Sequence, residues 1–252
     1  MGRLIAPRGL RTRALAAVAV VVVALACGLG GAPAAEARAL VVMIGDSTMW
    51  GGTAPPPRTS VVQAATDPGR ALAALLALLP DSSAWHDGEV VNLGVPGTNT
   101  LDWVERFPER LCADGKRGQS PRVLDPACDR RVPLAEAVAP ALGRTPDAIL
   151  VLLGTNDVLL KPPLDPAVTA ANLDRLRELL PRAPIYIAPP LRPPVPPGST
   201  FADGVRRHLL ERGILNGPDW PPLPTIDGLH LTEGGYAAAA GLWLDVLRKQ
   251  TP

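Results

Sequence analysis

The chain has 252 residues, with 25 Lys+Arg against 24 Asp+Glu and a formal net charge of +1. An apolar content of 47% with 19% charged residues argues against disorder, and the near-neutral charge against a nucleic-acid binder. The length suits one domain with a short appendage, and 30 prolines without a Gly-X-Y period mean stiff loops rather than a collagen-like repeat.

Arg3, Arg8, Arg11 and Arg13 form a basic n-region, an apolar run extends from Ala14 to Ala26, and Ala32-Pro33-Ala34 offers an A-x-A cleavage site. Ala35-Glu36-Ala37 is a second such site. The run is shorter than the roughly 18 residues of a spanning helix, so residues 1–34 are predicted to be a cleaved export signal rather than an anchor. Ala24-Leu25-Ala26-Cys27 is a poor lipobox, which makes lipid attachment at Cys27 a minor alternative. Removing 1–34 leaves a single domain, 35–252, with 21 basic and 24 acidic residues and a net charge of −3. That mature chain is expected to be secreted or held in the cell envelope, without a transmembrane segment, as a monomer. Its two cysteines are Cys112 and Cys128, and an oxidising compartment favours a disulfide between them over free thiols. Such a link contributes on the order of 3 kcal/mol and would pin the polar stretch Ala113–Ala127, which has no periodicity of its own.

Leu40–Ile44 is a short apolar run stopped by Gly45 and reads as a buried strand. Asp67-Pro68 is an N-cap followed by a first-turn proline, opening a helix that ends near Leu79. Val90–Leu93 is a second strand, stopped by Gly94, and Leu134–Leu142 is a helix. Ala148–Leu153 is a third strand, ended by Gly154. Asp165-Pro166 opens a helix with Leu173, Leu176 and Leu180 on one face. Ile185–Ile187 is a fourth strand, and Pro189–Gly198 a proline-rich loop on the rim of a cleft. Tyr236, Ala239, Ala240, Trp243 and Leu247 form the buried stripe of a C-terminal helix. Strands alternating with helices predict an α/β fold with a parallel sheet covered on both faces, whose ligand site lies beyond the carboxyl ends of the strands.

The chemistry-bearing residues follow three of those strand ends. Gly45-Asp46-Ser47 puts a serine on a sharp turn beside free backbone N–H groups, although the tripeptide alone is an ordinary turn. In Asn92-Leu93-Gly94-Val95-Pro96-Gly97, Gly97 either closes a turn or presents its N–H to a developing oxyanion. In Gly154-Thr155-Asn156-Asp157, the Asn156 amide can donate in the same way, whereas both Asn156 and Asp157 can equally cap a helix. Asp227-Gly228-Leu229-His230 precedes the last helix. Residues three apart in a helical turn share a side, so this carboxylate can reach the imidazole and stabilise its protonated form. His86 and His208 lack that arrangement.

These four blocks, in this order, resemble the SGNH (GDSL-type) hydrolase family over essentially the whole mature chain from Val41 onward, and Gly51 sits where the family's first block often has a glycine. The resemblance implies a three-layer α/β/α sandwich with a mostly parallel, flavodoxin-like sheet of five strands. It implies Ser47 as nucleophile, His230 as general base and acid, and Asp227 as its orienting partner. Ser47 N–H, Gly97 N–H and the Asn156 side chain would form the oxyanion hole. The reaction implied is cleavage of carboxylic esters through an acyl-enzyme, with small to medium acyl groups, on a small-molecule, lipid or acylated-glycan ester. No cofactor or metal is implied: His-Glu-x-x-His and Cys/His ligand clusters are absent from the sequence, as is the Gly-x-Ser-x-Gly elbow. An acyltransferase or a carbohydrate or cell-envelope O-acetyl esterase would use the same residues, and a non-catalytic glycan- or lipid-binding module is the rival of another class. Trp50 and Trp220 are candidates for an acyl pocket and equally for core. Three features depart from the family pattern: no fifth strand is evident between Ile214 and Ile226, Gly51–Thr59 is long, and the Cys112–Cys128 stretch is an insertion.

Overall fold

The computed structural model describes residues 38–53, 62–113, 122–191 and 199–250. The predicted export signal at 1–34, Cys27, and most of the 51–59 and 189–198 loops lie outside the described residues. From residue 38 onward the chain forms one unit.

In chain order the strands are β1 (Leu40–Gly45), β2 (Gly52–Thr53), β3 (Val62–Gln63), β4 (Glu89–Asn92), β5 (Ala148–Leu152) and β6 (Ile185–Ala188). The short β2 and β3 make a separate antiparallel pair, and the other four form a parallel sheet ordered β4-β1-β5-β6. All four predicted strands appear within one residue of their expected ends. Each central strand is buried along its whole length, because both faces of the sheet are covered. Val42, Ile44, Ile149, Val151 and Ile187 belong to one core, and Val41, Met43, Leu150, Leu152 and Tyr186 to the other. This alternation makes three layers.

The helices are α1 (Ser47–Trp50), α2 (Pro68–Leu76), α3 (Thr100–Val104), α4 (Glu109–Ala113), α5 (Leu124–Arg130), α6 (Leu134–Leu142), α7 (Pro166–Leu179), α8 (Phe201–Glu211) and α9 (Glu233–Lys249). Asp67 caps α2 through Gly69 and Arg70 N–H, and Asp165 caps α7 through Ala167 N–H. Helices α2 and α9 cover the Met43 face, where Tyr236, Ala239, Ala240, Trp243 and Leu247 are all buried. Helices α3, α6, α7 and α8 cover the Ile44 face. The arrangement follows from handedness. β4 and β5 lie on opposite sides of β1, so right-handed crossovers to them must run over opposite faces. The chain therefore diverges between the ends of β1 and β5, and the crevice opens there.

Two expectations are revised. Helix α5 occupies the end of the stretch read as irregular, because Leu124, Ala127 and Cys128 make a buried stripe too short to show as periodicity. Cys112 on α4 and Cys128 on α5 have their Sγ atoms 1.95 Å apart and Cα atoms 5.7 Å apart. Among the described residues four strands form the sheet, where the resemblance implies five and the sequence shows no fifth between Ile214 and Ile226. At the fifth position only one parallel bridge forms, Ile187 with Leu215. Asn216 completes the edge instead: Oδ1 accepts from Ile187 N–H at 2.7 Å, Nδ2 donates to Ile185 O at 2.8 Å, and Gly217 N–H donates to Ile187 O at 2.9 Å. One amide side chain and the backbone N–H that follows it thus take the place of a strand where prolines and glycines discourage one.

Replacing Asn216 by Ala leaves Ile187 N–H and Ile185 O without these partners. We expect Asn216→Ala to cost about 1–2 kcal/mol in urea unfolding, with an unchanged denaturant slope.

Candidate active site

Ser47 is the first residue of α1, separated from β1 only by Asp46. Asp46 caps that helix, accepting from Thr48 N–H at 2.9 Å and Thr48 Oγ1 at 2.7 Å. Gly51 ends it in the left-handed region, at φ 85°, with its N–H on Ser47 O. The turn is therefore fixed at both ends, and Ser47 N–H, at the first helical position, makes no hydrogen bond among the described residues.

His230 lies 183 residues away in sequence, yet its Nε2 is 3.0 Å from Ser47 Oγ, with both residues buried. Its Nδ1 is 2.7 Å from Asp227 Oδ2. Asp227 reaches the imidazole by a different route from the helical turn expected. Its Oδ1 accepts from Leu229 N–H at 2.9 Å and His230 N–H at 2.7 Å, a side-chain-closed turn that leaves Oδ2 for the ring. Partial desolvation opposes charge on Asp227, but the hydrogen bonds from the His230 side chain, His230 N–H and Leu229 N–H outweigh it and hold the carboxyl below its ordinary range. An ionised Asp227 can only accept. Nδ1 must then carry the proton, and Nε2 is left to accept from the serine hydroxyl.

Gly97 and Asn156 come from the loops after β4 and β5. Gly97 sits at φ 76°, and among the described residues no heavy atom beyond its chain neighbours lies within 4 Å of the position a Cβ would take. Its N–H makes no hydrogen bond among the described residues. Asn156 Nδ2 donates to Thr98 O at 2.7 Å, which aims the amide and leaves its second hydrogen unclaimed. An open groove of about 470 Å³ beside these residues is lined by Gly97, Asn156, Arg106, Phe107, Leu159 and Leu160. A smaller cavity of about 190 Å³ lies under the loop that carries His230, lined by Trp220, Leu191, Leu223 and Leu229. Trp220 also stacks edge-on against Trp243 and donates to Pro189 O at 2.7 Å, so it serves as core and as wall. Trp50 lines neither of these two spaces.

Two acids were not anticipated as site builders. Asp46 also accepts from Thr155 N–H at 3.2 Å, joining the end of β1 to the loop after β5. Burial pushes its carboxyl above the ordinary range, against hydrogen bonds from Thr48 and Thr155 that favour the ionised form. Asp157, read as a helix cap or turn residue, instead accepts from Thr100 N–H at 2.8 Å and from the Thr100 and Thr169 hydroxyls at 2.6 Å each. Burial is the largest influence on Asp157 and, with the nearby Asp46, pushes it up to about 6 despite these donors. The visible signal is an Asp next to Ser47 and another next to Asn156, without an indication of the partner of either.

The sequence model of the GDSL-like lipase/acylhydrolase family matches residues 43–238. Among solved structures, Est24, a carbohydrate acetylesterase from Sinorhizobium meliloti, is 17% identical with a TM-score of 0.58, covering 85% of this chain and 100% of its own. The aryl esterase of M. smegmatis is 17% identical with a TM-score of 0.59, again covering 85% and 100%. The lipase/acylhydrolase from Enterococcus faecalis is 16% identical with a TM-score of 0.53, covering 84% and 97%. At these identities the likeness establishes a shared fold. No curated protein matches the chain at a significant level.

Asp157 makes stability depend on pH in a defined direction. Its carboxyl titrates near 3.8 when unfolded and about 6 when folded, so between these values the native state holds the extra proton. Its contribution to stability therefore falls as pH rises from about 4 to about 6, by on the order of 2–3 kcal/mol. Asp157→Asn removes that fall. Urea titrations at pH 4 and pH 7 should show wild-type stability dropping relative to the variant by that amount.

Proposed function

The chain belongs to the GDSL-like lipase/acylhydrolase family and is a carboxylic-ester hydrolase of that type; we propose that it cleaves esters through a covalent intermediate on Ser47. The observation that carries this reading is the unbroken chain of contacts from Asp227 to His230 to Ser47, at 2.7 and 3.0 Å. Ser47 Oγ attacks the ester carbonyl as His230 Nε2 takes its proton. The carbonyl oxygen gains charge and is met by Ser47 N–H, Gly97 N–H and the free hydrogen of Asn156 Nδ2. His230 returns the proton to the departing alkoxide, leaving the acyl group on Ser47. Water, activated by the same imidazole, then releases the acid. Ionised Asp227 stabilises the imidazolium in both halves.

The reading extends to an exported mature domain, 35–252, acting as a monomer with Cys112 and Cys128 disulfide-bonded. The apposed sulfur atoms support that link. Among the described residues no helix is long and apolar enough to cross a membrane. We take the substrate to be an ester of a small to medium acyl group. The open groove beside Gly97 and Asn156 supports access by an alcohol moiety that need not be enclosed.

Ser47→Ala should lower kcat by about 10⁴-fold or more on p-nitrophenyl acetate, and Asn156→Ala by about 10²- to 10³-fold. Intact mass after a fluorophosphonate probe should show one adduct on the wild type and none on Ser47→Ala. A folded wild type that takes no adduct and turns over no ester from acetate to octanoate would sink this reading. A panel rate that peaks beyond octanoate would overturn the acyl-size assignment alone.

A further inference from the structure

The segment that carries Gly97 is tied down at successive peptide groups. Thr98 N–H donates to Val95 O at 3.3 Å, and Thr98 O accepts from Asn156. Asn99 N–H donates to Asp102 Oδ2 at 2.9 Å, and Thr100 N–H to Asp157. The carbonyl of Gly97 is held by a side chain from a different helix: Arg110 Nη2, on α4, donates to it at 2.7 Å. The same guanidinium grips Asp102 through both nitrogens, Nη1 to Oδ1 at 2.8 Å and Nη2 to Oδ2 at 2.7 Å. Asp102 is itself buried within α3, where it closes a capping box with Asn99.

This triangle has a specific consequence. Gly97 lacks the side chain that restricts other residues and sits at positive φ, so the angle between the peptide plane that bears its N–H and the one that bears its C=O rests on what holds the polar groups of each. Among the described residues its N–H carries no hydrogen bond, and its C=O is held by Arg110. We propose that Arg110 is a positioning residue for the oxyanion site, fixing the direction of the Gly97 N–H through the Gly97 carbonyl and the anchor at Asp102. The inference rests on the reading of Gly97 as an oxyanion donor. Arg110 acts through geometry rather than field, because Asp102 balances its charge at contact distance. A lysine would not replace it, since one ammonium lacks the planar fork that spans a carboxylate and a carbonyl together. Cys112 lies two residues further along α4, so the apposition with Cys128 anchors the helix that delivers the guanidinium.

The test separates positioning from folding. Arg110→Ala alone leaves Asp102 buried without its counter-charge and should lower stability. The double variant Arg110→Ala, Asp102→Asn removes that charge and should recover the wild-type unfolding midpoint. Its kcat on p-nitrophenyl acetate should nevertheless stay about 10- to 100-fold below wild type, with KM within about twofold. Millimolar guanidinium, far below denaturing concentration, should restore part of the kcat of Arg110→Ala by filling the vacated place. A double variant with kcat within about twofold of wild type overturns the proposal, as does a loss expressed chiefly in KM, which would mark a substrate contact. If the double variant does not fold, the guanidinium response of Arg110→Ala decides alone, and no response overturns the proposal. These outcomes bear on Arg110 only where turnover requires Ser47; turnover that survives Ser47→Ala would refute the parent reading instead.

Discussion

Desolvating a carboxylate is costly unless donors meet every oxygen, and this chain does so at both Asp46 and Asp157, one on each side of the same crevice. Asp46 holds the N-terminus of α1 to the loop after β5 through Thr48 and Thr155. Asp157 holds that loop to α3 and α7 through Thr100 and Thr169. Between them they lock the ends of two adjacent strands to the helices on either side. Ser47 and Asn156 are each the immediate neighbour of one of these acids. The placement of Ser47 and Asn156 thus depends on two buried acids whose oxygens are all met by donors.

Much of this is legible in the sequence. Three of the parallel strands show as apolar runs closed by glycine and the fourth as the short run Ile185–Ile187, and Asp-Pro marks the starts of α2 and α7 because proline suits the first helical turn. Ser47, Gly97, Asn156, Asp227 and His230 stand out because each lies in a short block after a strand or before the last helix. The contact between Asp227 and His230 was foreseen for a different reason from the one the structure uses, since an Asx-type turn and a helical turn both bring residues three apart together. What stayed hidden is long-range. Nothing at position 102 or 110 signals that a guanidinium on α4 donates both to a carboxylate on α3 and to the carbonyl of Gly97. Asp46 and Asp157 look like turn residues locally, and only the fold reveals which hydroxyls they meet.

Helix α5 and the missing fifth strand illustrate the same limit from opposite directions. The buried stripe of α5, Leu124, Ala127 and Cys128, is too brief for its period to rise above the polar residues around it. The segment after α8, rich in proline and glycine, correctly discourages a strand, but it gives no hint that Asn216 will supply the missing hydrogen bonds.

That substitution has a consequence beyond the fold. An open edge strand presents unpaired amides and carbonyls on which a second chain can add, and β6 is such an edge, short and apolar. Asn216 and Gly217 occupy Ile185 O, Ile187 N–H and Ile187 O, the groups a recruited strand would need. A side-chain amide cannot be extended into a ladder the way another strand can. The edge is therefore finished rather than merely left short, and Asn216 with the Gly217 N–H leaves a second chain no free group there on which to add.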